Sequence, residues 1–484
     1  MTNDFTRRDF LRTAAFGAAG ALLAPTLARD LWGEASPLGT LLAPTGWELV
    51  PGILARIRPP VFPRRDFLLT KHGAVGDGVA DCTAAFRDAI AACHRAGGGR
   101  VVVPEGKFLT GPIHLKSNVE LHVVQGATIL FSTDPKAYLP RVLTRFEGME
   151  LMGLSPLIYA YGEKNIALTG AGLLDGQADE AHWWGWKGNA SFGAKGAPNQ
   201  IPARKRLFQM AEEGVPVSKR VFGPEDMLRP SFVEPYRCKN VLIEGITIKR
   251  SPMWELHPTL CTNVTVRNVS IDTHGPNNDG CDPESCRDVL IEGCTFNTGD
   301  DCIAIKSGRN ADGRRLNVPS ENLVIRNCNM KDGHGGVSIG SECSGGVRNI
   351  FIEKCRMDSP NLERALRLKT NAMRGGVMER IYMRDVTVGE VKVAVLDIDF
   401  NYEEGPNGPF KPIVRDVELR GVTSKKSQYA FFLKGFPTSP IGGVRVVGCT
   451  FDNVARPNVI ENVKGLVVES TSINGQPLVA QATQ

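Results

Sequence analysis

No stretch of this 484-residue chain reaches the ~20 consecutive apolar residues that a membrane-spanning helix needs. The N-terminal run from Ala14 to Ala24 stops well short, so no membrane span is expected. Strong net charge is also missing. Lys and Arg number 57 and Asp and Glu 52, leaving +5 (57 − 52), and no nucleic-acid partner is expected from so mild a balance. The twelve cysteines contain no C-x-x-C pair, which argues against metal ligation, and no metal or cofactor is expected. A sustained Leu-x-x-Leu-x-Leu pattern is absent, which excludes a leucine-rich repeat. The short apolar segments also follow one another without hairpin signals, which disfavours a sandwich.

What the chain does have is a recurring short pattern: Asn-Val or a close variant, an alternating apolar stretch, then a turn. Copies begin at Asn118, Asn165, Asn240, Asn263, Asp288, Asn322 and Asn349, with weaker ones at Arg380, Asp416 and Gly443. The steps of 23 (263 − 240) and 25 (288 − 263) match one coil of a parallel β-helix. A β-propeller repeats every ~40–50 residues and fits less well. Within a copy, Val241, Ile243, Ile246 and Ile248 alternate with polar residues, as strands with one inward face do. Ahead of the repeat, Phe67 to Thr70 reads as a strand and Gly73 to Gly78 as a loop. Asp81 reads as the N-cap of a helix from Thr83 to about His94, which Gly97 to Gly99 end. That helix is expected to cap the end of the solenoid core. The fold class expected is thus all-β, a single-stranded parallel β-helix with an N-terminal capping helix.

The first residues read as an address. Arg7-Arg8 followed by Phe10-Leu11 and a short apolar run resembles a twin-arginine export signal, with small residues Thr26 and Ala28 near a cleavage point. The division expected is a signal peptide over 1–28, an N-terminal extension over 29–65 and a β-helix catalytic domain over 66–484. The twin-arginine translocase would be a transient partner, and the mature monomer would work in the periplasm or outside the cell. Such substrates fold before export, in a reducing compartment. The cysteines are periodic too: Cys238, Cys261 and Cys286 stand two residues before a repeat start, and Cys294, Cys328 and Cys355 six after one. Stacked buried thiols are expected over a disulfide framework.

Equal phase on successive coils brings distant residues together. Asp300 lies 12 residues after Asp288, and His334 lies 12 after Asn322. Asp279 precedes Asp300 by 21, about one coil. Asp279, Asp300 and Asp301 are expected to gather within one or two coil spacings of ~4.8 Å. Crowded carboxyls raise at least one pKa and so keep a proton available. Arg367 and Lys369 alternate on one strand face and suit a substrate carboxylate. Ordinary turn chemistry for the acids, a calcium site built from them, and neutralisation of the acids by the cations are the competing readings. Insertions over about 181–232 and 307–320, rich in Trp and Arg, are expected on the binding face.

Four ordered motifs, Asn277-Asn278-Asp279, Gly299-Asp300-Asp301, Gly333-His334-Gly335 and Arg367-Leu368-Lys369, resemble those of glycoside hydrolase family 28, the polygalacturonases. The likeness extends over nearly all of the chain after residue 66, including Gly73 to Gly78 and Leu173 to Gln177. It implies a right-handed, pectin-lyase-like β-helix and hydrolysis of α-1,4-galacturonosyl bonds of polygalacturonate with inversion. An inverting pair of carboxyls stands about 6.5–9.5 Å apart. By the resemblance Asp300 is the general acid, Asp279 and Asp301 activate water, and His334 supports the acid. Arg367, Lys369, Tyr402 and Asn277 would bind the sugar. Asn278 and Leu368 depart from the family's Thr and Ile, at side chains that this mechanism does not use. The long insertions would favour action on chain ends. A calcium-dependent pectate lyase, a rhamnogalacturonan hydrolase and a non-catalytic binding solenoid are the alternatives.

Overall fold

A computed structural model of the protein describes residues 45–478. The twin-arginine segment, the boundary at residue 28 and residues 29–44 lie outside the described residues. From Asp66 onward the chain winds through parallel strands that form three faces. One face stacks fourteen strands, starting with Asp66–Leu68, and a second stacks fourteen starting with Asp77–Asp81. The third face has two parts: three strands (Ile113–His114, Ile158–Tyr161, Val233–Tyr236) and six running from Ile303–Ile305 to Val459–Glu461. Single bridges from Val233 to Leu256, Cys281 and Ile303 connect these parts. The register is that of the repeat: Val241 pairs with Val264, Val264 with Val289 and Val289 with Leu323. The expected parallel β-helix is therefore the fold.

The repeated Asn has a backbone reason. All ten repeat starts, from Asn118 to Gly443, adopt left-handed φ between 53° and 63°. Asn and Asp tolerate that region better than other side chains, and Gly adopts it freely. Their side chains also form a ladder along the outside. Asn165 Nδ2 donates to Asn118 Oδ1 at 2.9 Å, Asn240 to Asn165 at 2.8 Å and Asn263 to Asn240 at 2.8 Å. Asn349 donates to Asn322 at 2.9 Å, and the Arg380 Nε donates to Asn349 at 2.8 Å. Asp288 can only accept, and it takes Asn322 Nδ2 at 3.2 Å and the Arg56 guanidinium at 2.8 Å. Arg56 belongs to the helix Leu49–Arg56, whose Val50 and Ile53 pack with Val324 and Phe351 on the outer side of the first face. Part of the expected extension over 29–65 is thus packed on the coils.

Inward residues form one apolar column, with all twelve cysteines buried and free. The Cys238 amide points at Cys261 Sγ (3.4 Å), and the Cys261 amide at Cys286 Sγ (3.4 Å). The helix Thr83–Arg95 closes the core with Phe86, Ala89, Ile90 and Cys93. Cys82, not the expected Asp81, is the N-cap and makes no side-chain cap bond, but Asp81 Oδ1 one residue further out accepts the Thr83 amide at 2.9 Å. The strand expected over 67–70 is shorter: Asp66–Leu68 is strand and Leu69–His72 turns into a 3₁₀ helix. The loop expected over 73–78 ends early in the strand Asp77–Asp81.

Two hairpins correct the expectation of none. Val142–Phe146 pairs antiparallel with Met149–Gly153 through Glu147-Gly148, both at positive φ. Ser472–Ile473 pairs with Gln476–Pro477 through Asn474-Gly475. The second is an ordinary two-residue hairpin sequence, and the first uses Glu where Asn or Asp would signal the turn. The first hairpin, the helix Ile201–Glu212 and Phe222 share an apolar cluster with Met253 and Trp254 of the coils. Buried ion pairs fasten the insertions: Arg220 to Asp312 at 2.7 Å, and Arg145 to Glu284 at 2.7 Å. Among the described residues, no helix is long and apolar enough to cross a membrane.

Candidate active site

The third face and its insertions enclose a cavity of about 580 Å³, lined by Asp279, Asp300, His334, Arg367, Lys369 and Tyr402 among others. Asn277 lines it as well. All eight residues singled out in the sequence thus meet at one place, with Asp301 just beneath the surface, fully buried and bonded to Lys369. One oxygen from each of Asp279, Asp300 and Asp301 lies within 4.8 Å of the others. These nearest oxygens stand no more than one coil spacing apart, closer than the 6.5–9.5 Å quoted for inverting carboxyl pairs. The reason is that Asp300 and Asp301 are adjacent in the chain, and Asp279 sits directly on the neighbouring coil. The Asp279 carbonyl accepts from Glu255, and the Gly280 amide donates to the Asp301 carbonyl.

Close coil approach explains the glycines. A Cβ on Gly333 would stand 2.6 Å from the Asp300 carbonyl oxygen, and one on Gly335 would stand 2.3 Å from Ser338 Oγ. His334 is thereby drawn onto Asp300: its amide donates to the Asp300 carbonyl at 3.0 Å, and Nδ1 meets Oδ1 at 2.8 Å. Asp301 accepts Ser338 Oγ at 2.6 Å and Lys369 Nζ at 2.7 Å. Arg367 Nη1 reaches it only at 3.8 Å. Arg367 and Lys369 lie on the strand Arg364–Lys369, in register with Ser338 and Gly340. The Tyr402 ring stands 5.6 Å from the Arg367 guanidinium and 5.4 Å from Lys369 Nζ.

Asn278, the departure from the family's Thr, has a structural task. It is fully buried, accepts from the Gly275 amide (2.7 Å) and Thr273 Oγ1 (2.6 Å), and donates to Ser251 and Met253 carbonyls. All of its hydrogen-bonding capacity goes into fixing the turn that aims Asp279. Asn277 Oδ1 accepts Lys187 Nζ at 2.7 Å and Arg229 Nη2 at 2.8 Å.

Several site residues escaped the sequence reading. Lys306 Nζ stands 3.5 Å from Asp279, 3.3 Å from Asp282 and 3.5 Å from Glu342, against the Trp254 ring at 4.4 Å. Its signal was available: Ile303-Ala304-Ile305-Lys306 alternates as Leu366-Arg367-Leu368-Lys369 does, and Ala304 stacks on Ser338 and Arg367 in one column. Glu255 and Asp282 are buried too, and neither carboxylate has a hydrogen-bond partner among the described residues. The insertion over 181–232 reaches the binding face as expected, through Lys187, Phe192 and Arg204, but its Trp183, Trp184 and Trp186 are not on the cavity lining. Trp183 is buried against Tyr138 and Trp186, and Trp184 donates to the Ser251 carbonyl. Phe192 and Trp254 are the aromatic wall instead, with Tyr402.

Burial pushes the Asp279 carboxyl up to about 7, Asp300 adds to the rise and Lys306 opposes it. Burial also acts to raise Asp300, but the His334 hydrogen bond and charge, with Lys369 and Lys306, outweigh it and hold Asp300 below the usual range. Asp301 is likewise lowered against burial, mainly by Lys369. The Asp300 hydrogen bond raises His334 to about 9. Burial and the neighbouring Asp279 lift Glu255 well above the ordinary value. Crowding thus raises one carboxyl toward neutral pH, as expected, and the raised one is Asp279 rather than Asp300. The carboxylate spacing could by itself suit a cation, but Lys306 and Lys369 already supply positive charge there.

Comparison with known proteins agrees with this geometry. Residues 224–471 match the model for Glycosyl hydrolases family 28. The structure of a hyperthermoactive exopolygalacturonase from Thermotoga maritima is 47% identical, with a TM-score of 0.85, over 88% of this chain and 96% of that one. A polygalacturonase from Gossypium barbadense is 28% identical over 72% of this chain and 72% of its own length. An exo-poly-alpha-D-galacturonosidase from Dickeya chrysanthemi is 26% identical over 74% of this chain, which spans 62% of that protein. A stacked carboxylate cluster on a parallel β-helix, together with a family match over more than half of the chain, makes this protein a member of glycosyl hydrolases family 28.

Proposed function

We propose that the protein is an exo-acting polygalacturonase that hydrolyses α-1,4-galacturonosyl bonds at chain ends of polygalacturonate with inversion. The observation that carries this is a cavity lined by Asp279 and Asp300, with Asp301 just beneath, beside Arg367 and Lys369 and walled by insertions. Arg309 ties those walls together, reaching Glu147 of the hairpin at 3.5 Å, Glu342 at 3.3 Å and Glu403 at 3.1 Å. Such a tie favours a blind groove over an open one, and so chain-end action. The 47% identical exopolygalacturonase supports the same reading.

In this proposal Asp300, on the cleft side of the cluster, protonates the glycosidic oxygen as the bond to the anomeric carbon breaks. A water attacks that carbon from the opposite face and gives its proton to Asp279 or Asp301. The proton held at Asp279 must then pass to Asp300 on substrate binding, through a bridging water where the oxygens stand up to 4.8 Å apart. His334 sets the orientation and charge of Asp300. Arg367 and Lys369 hold a substrate carboxylate, Tyr402 covers the sugar, and Asn277 contributes to binding. Export through the twin-arginine route, removal of residues 1–28 and release to the periplasm or beyond complete the proposal, with 66–484 as the catalytic β-helix.

Product analysis on polygalacturonate tests it. Monogalacturonate from the earliest time points, formed with inverted anomeric configuration by proton NMR, is expected. A ladder of oligomers refutes exo action, retained configuration refutes inversion, and ultraviolet-absorbing unsaturated products lost on chelation establish a lyase instead.

A further inference from the structure

Six cations line the cavity: Lys187, Arg204, Lys306, Arg364, Arg367 and Lys369. Four of them are spent on protein carboxylates. Arg204 meets Glu147 at 2.6 Å, Lys306 meets Asp282 at 3.3 Å, Arg364 meets Asp397 at 2.5 Å and Lys369 meets Asp301 at 2.7 Å. Arg367 has only the 3.8 Å approach to Asp301. Among the described residues, Lys187 has no ion pair at all, and its one hydrogen bond goes to Asn277 Oδ1. An ammonium has three donors, so two remain to face the cavity. Burial presses the Lys187 ammonium below its ordinary pKa, a cost that an anionic ligand would relieve.

The two uncommitted cations stand on coils to either side of Asp300. Lys187 rests on Asn277, in the coil that carries Asp279 and precedes Asp300. Arg367 lies beyond: Ala304 of the Asp300 coil pairs with Ser338, and Ser338 with Arg367, two coils or ~10 Å along the axis. Consecutive sugars of a galacturonan each carry one carboxylate. A chain lying along the axis with its reacting bond at Asp300 would present one carboxylate to each cation.

We propose that Lys187 is a second substrate-carboxylate-binding residue, so that the site reads galacturonate on both sides of the bond it cleaves. The inference rests on the polygalacturonase reading above and sharpens it to a substrate class. It favours unesterified homogalacturonan over a polymer in which uronic acid alternates with a neutral sugar.

The test uses digalacturonate and its two monomethyl esters with the wild-type protein, Lys187→Gln, Lys187→Arg and Arg367→Gln. Gln at 187 can still donate to Asn277, so the loop stays anchored and only the charge is lost. Lys187→Gln is expected to lower kcat/KM on digalacturonate roughly 10- to 100-fold, mostly through KM, as for loss of a charged hydrogen bond. It should cost less than about 3-fold on one of the two esters, the one whose neutralised residue faces position 187. Arg367→Gln should show the same selective insensitivity toward the other ester, and Lys187→Arg should retain most activity. Equal losses on the acid and both esters, or no loss, overturn the proposal while leaving a polygalacturonase. Failure of the wild-type protein to release galacturonate from polygalacturonate overturns the polygalacturonase reading as well.

Discussion

Two polar columns run along this β-helix, and they differ in how their hydrogen bonds close. On the outer corner, Asn118, Asn165, Asn240 and Asn263 repeat one residue type, and each amide meets the next. On the groove face, every coil brings something different: Glu255, Asp279 with Asp282, Asp300 with Lys306, His334 with Ser338, Arg367 with Lys369. There Asp279 Oδ1, both Glu255 oxygens and both Asp282 oxygens lack a hydrogen-bond partner among the described residues. A closed polar stack is structural, because each group's desolvation is offset by a neighbour. A stack of mixed charges with open valences is costly to bury, and it shifts pKa values, which is where chemistry is found.

Breaking each column should have opposite signatures. Asp300→Asn is expected to lower kcat on polygalacturonate by about 10²–10⁴-fold, the usual contribution of a positioned acid, with little change in melting temperature. An activated aryl galacturonide, whose leaving group needs no proton, should recover much of that loss; equal loss on both substrates would remove Asp300 from the acid role.

Lys306→Met strikes the groove column at its most enclosed charge. It leaves Asp282 buried without its cation, while Glu342 keeps Arg309, and should cost about 3–5 kcal/mol in chemical denaturation. Activity in the wild type should fall as pH rises through about 7, where the cluster loses the proton on Asp279, while His334 stays protonated to about 9. Lys306 opposes the rise at Asp279, so this limb should move to higher pH in Lys306→Met. A limb that stays at 7, or one that moves down, would contradict the electrostatic assignment. Stability follows the same sign. A carboxyl raised in the folded state favours folding while protonated, so the Asp279 contribution fades between about pH 4 and pH 7.

The smallest effect belongs to the outer ladder. Asn322→Ala removes bonds to Asp288 and Asn349 and puts a Cβ without a polar group at φ 61°, for about 2 kcal/mol of stability and no change in kcat. A kinetic phenotype there would blur the distinction between the columns.

Much of this was open to reading in the chain. The Asn and Asp repeat starts marked each left-handed corner, because few residues other than Asn, Asp and Gly are comfortable there. The 12-residue offset placed His334 on Asp300, because coils in register carry equal positions to equal places. Asn474-Gly475 was a hairpin signal in plain sight, whereas Glu147-Gly148 was not, since its turn is stabilised from outside by packing against Arg309 and Glu342. The tryptophans of the insertion suggested a wall, yet Trp183 was drawn into the body by Tyr138 and Trp186. Insertions have no repeat to fix their phase, so composition alone did not say which side chains face the groove.

By itself the sequence determined the coil, its corners and the meeting of Asp279, Asp300, Asp301, His334, Arg367 and Lys369, because register is a property of spacing. The tertiary structure alone decided which carboxyl is raised, that Lys306 is enclosed by three carboxylates, and that Lys187 faces the cavity with no ion pair among the described residues. Those depend on burial and on how the insertions fold back over the coils, and neither is written in the period of the repeat.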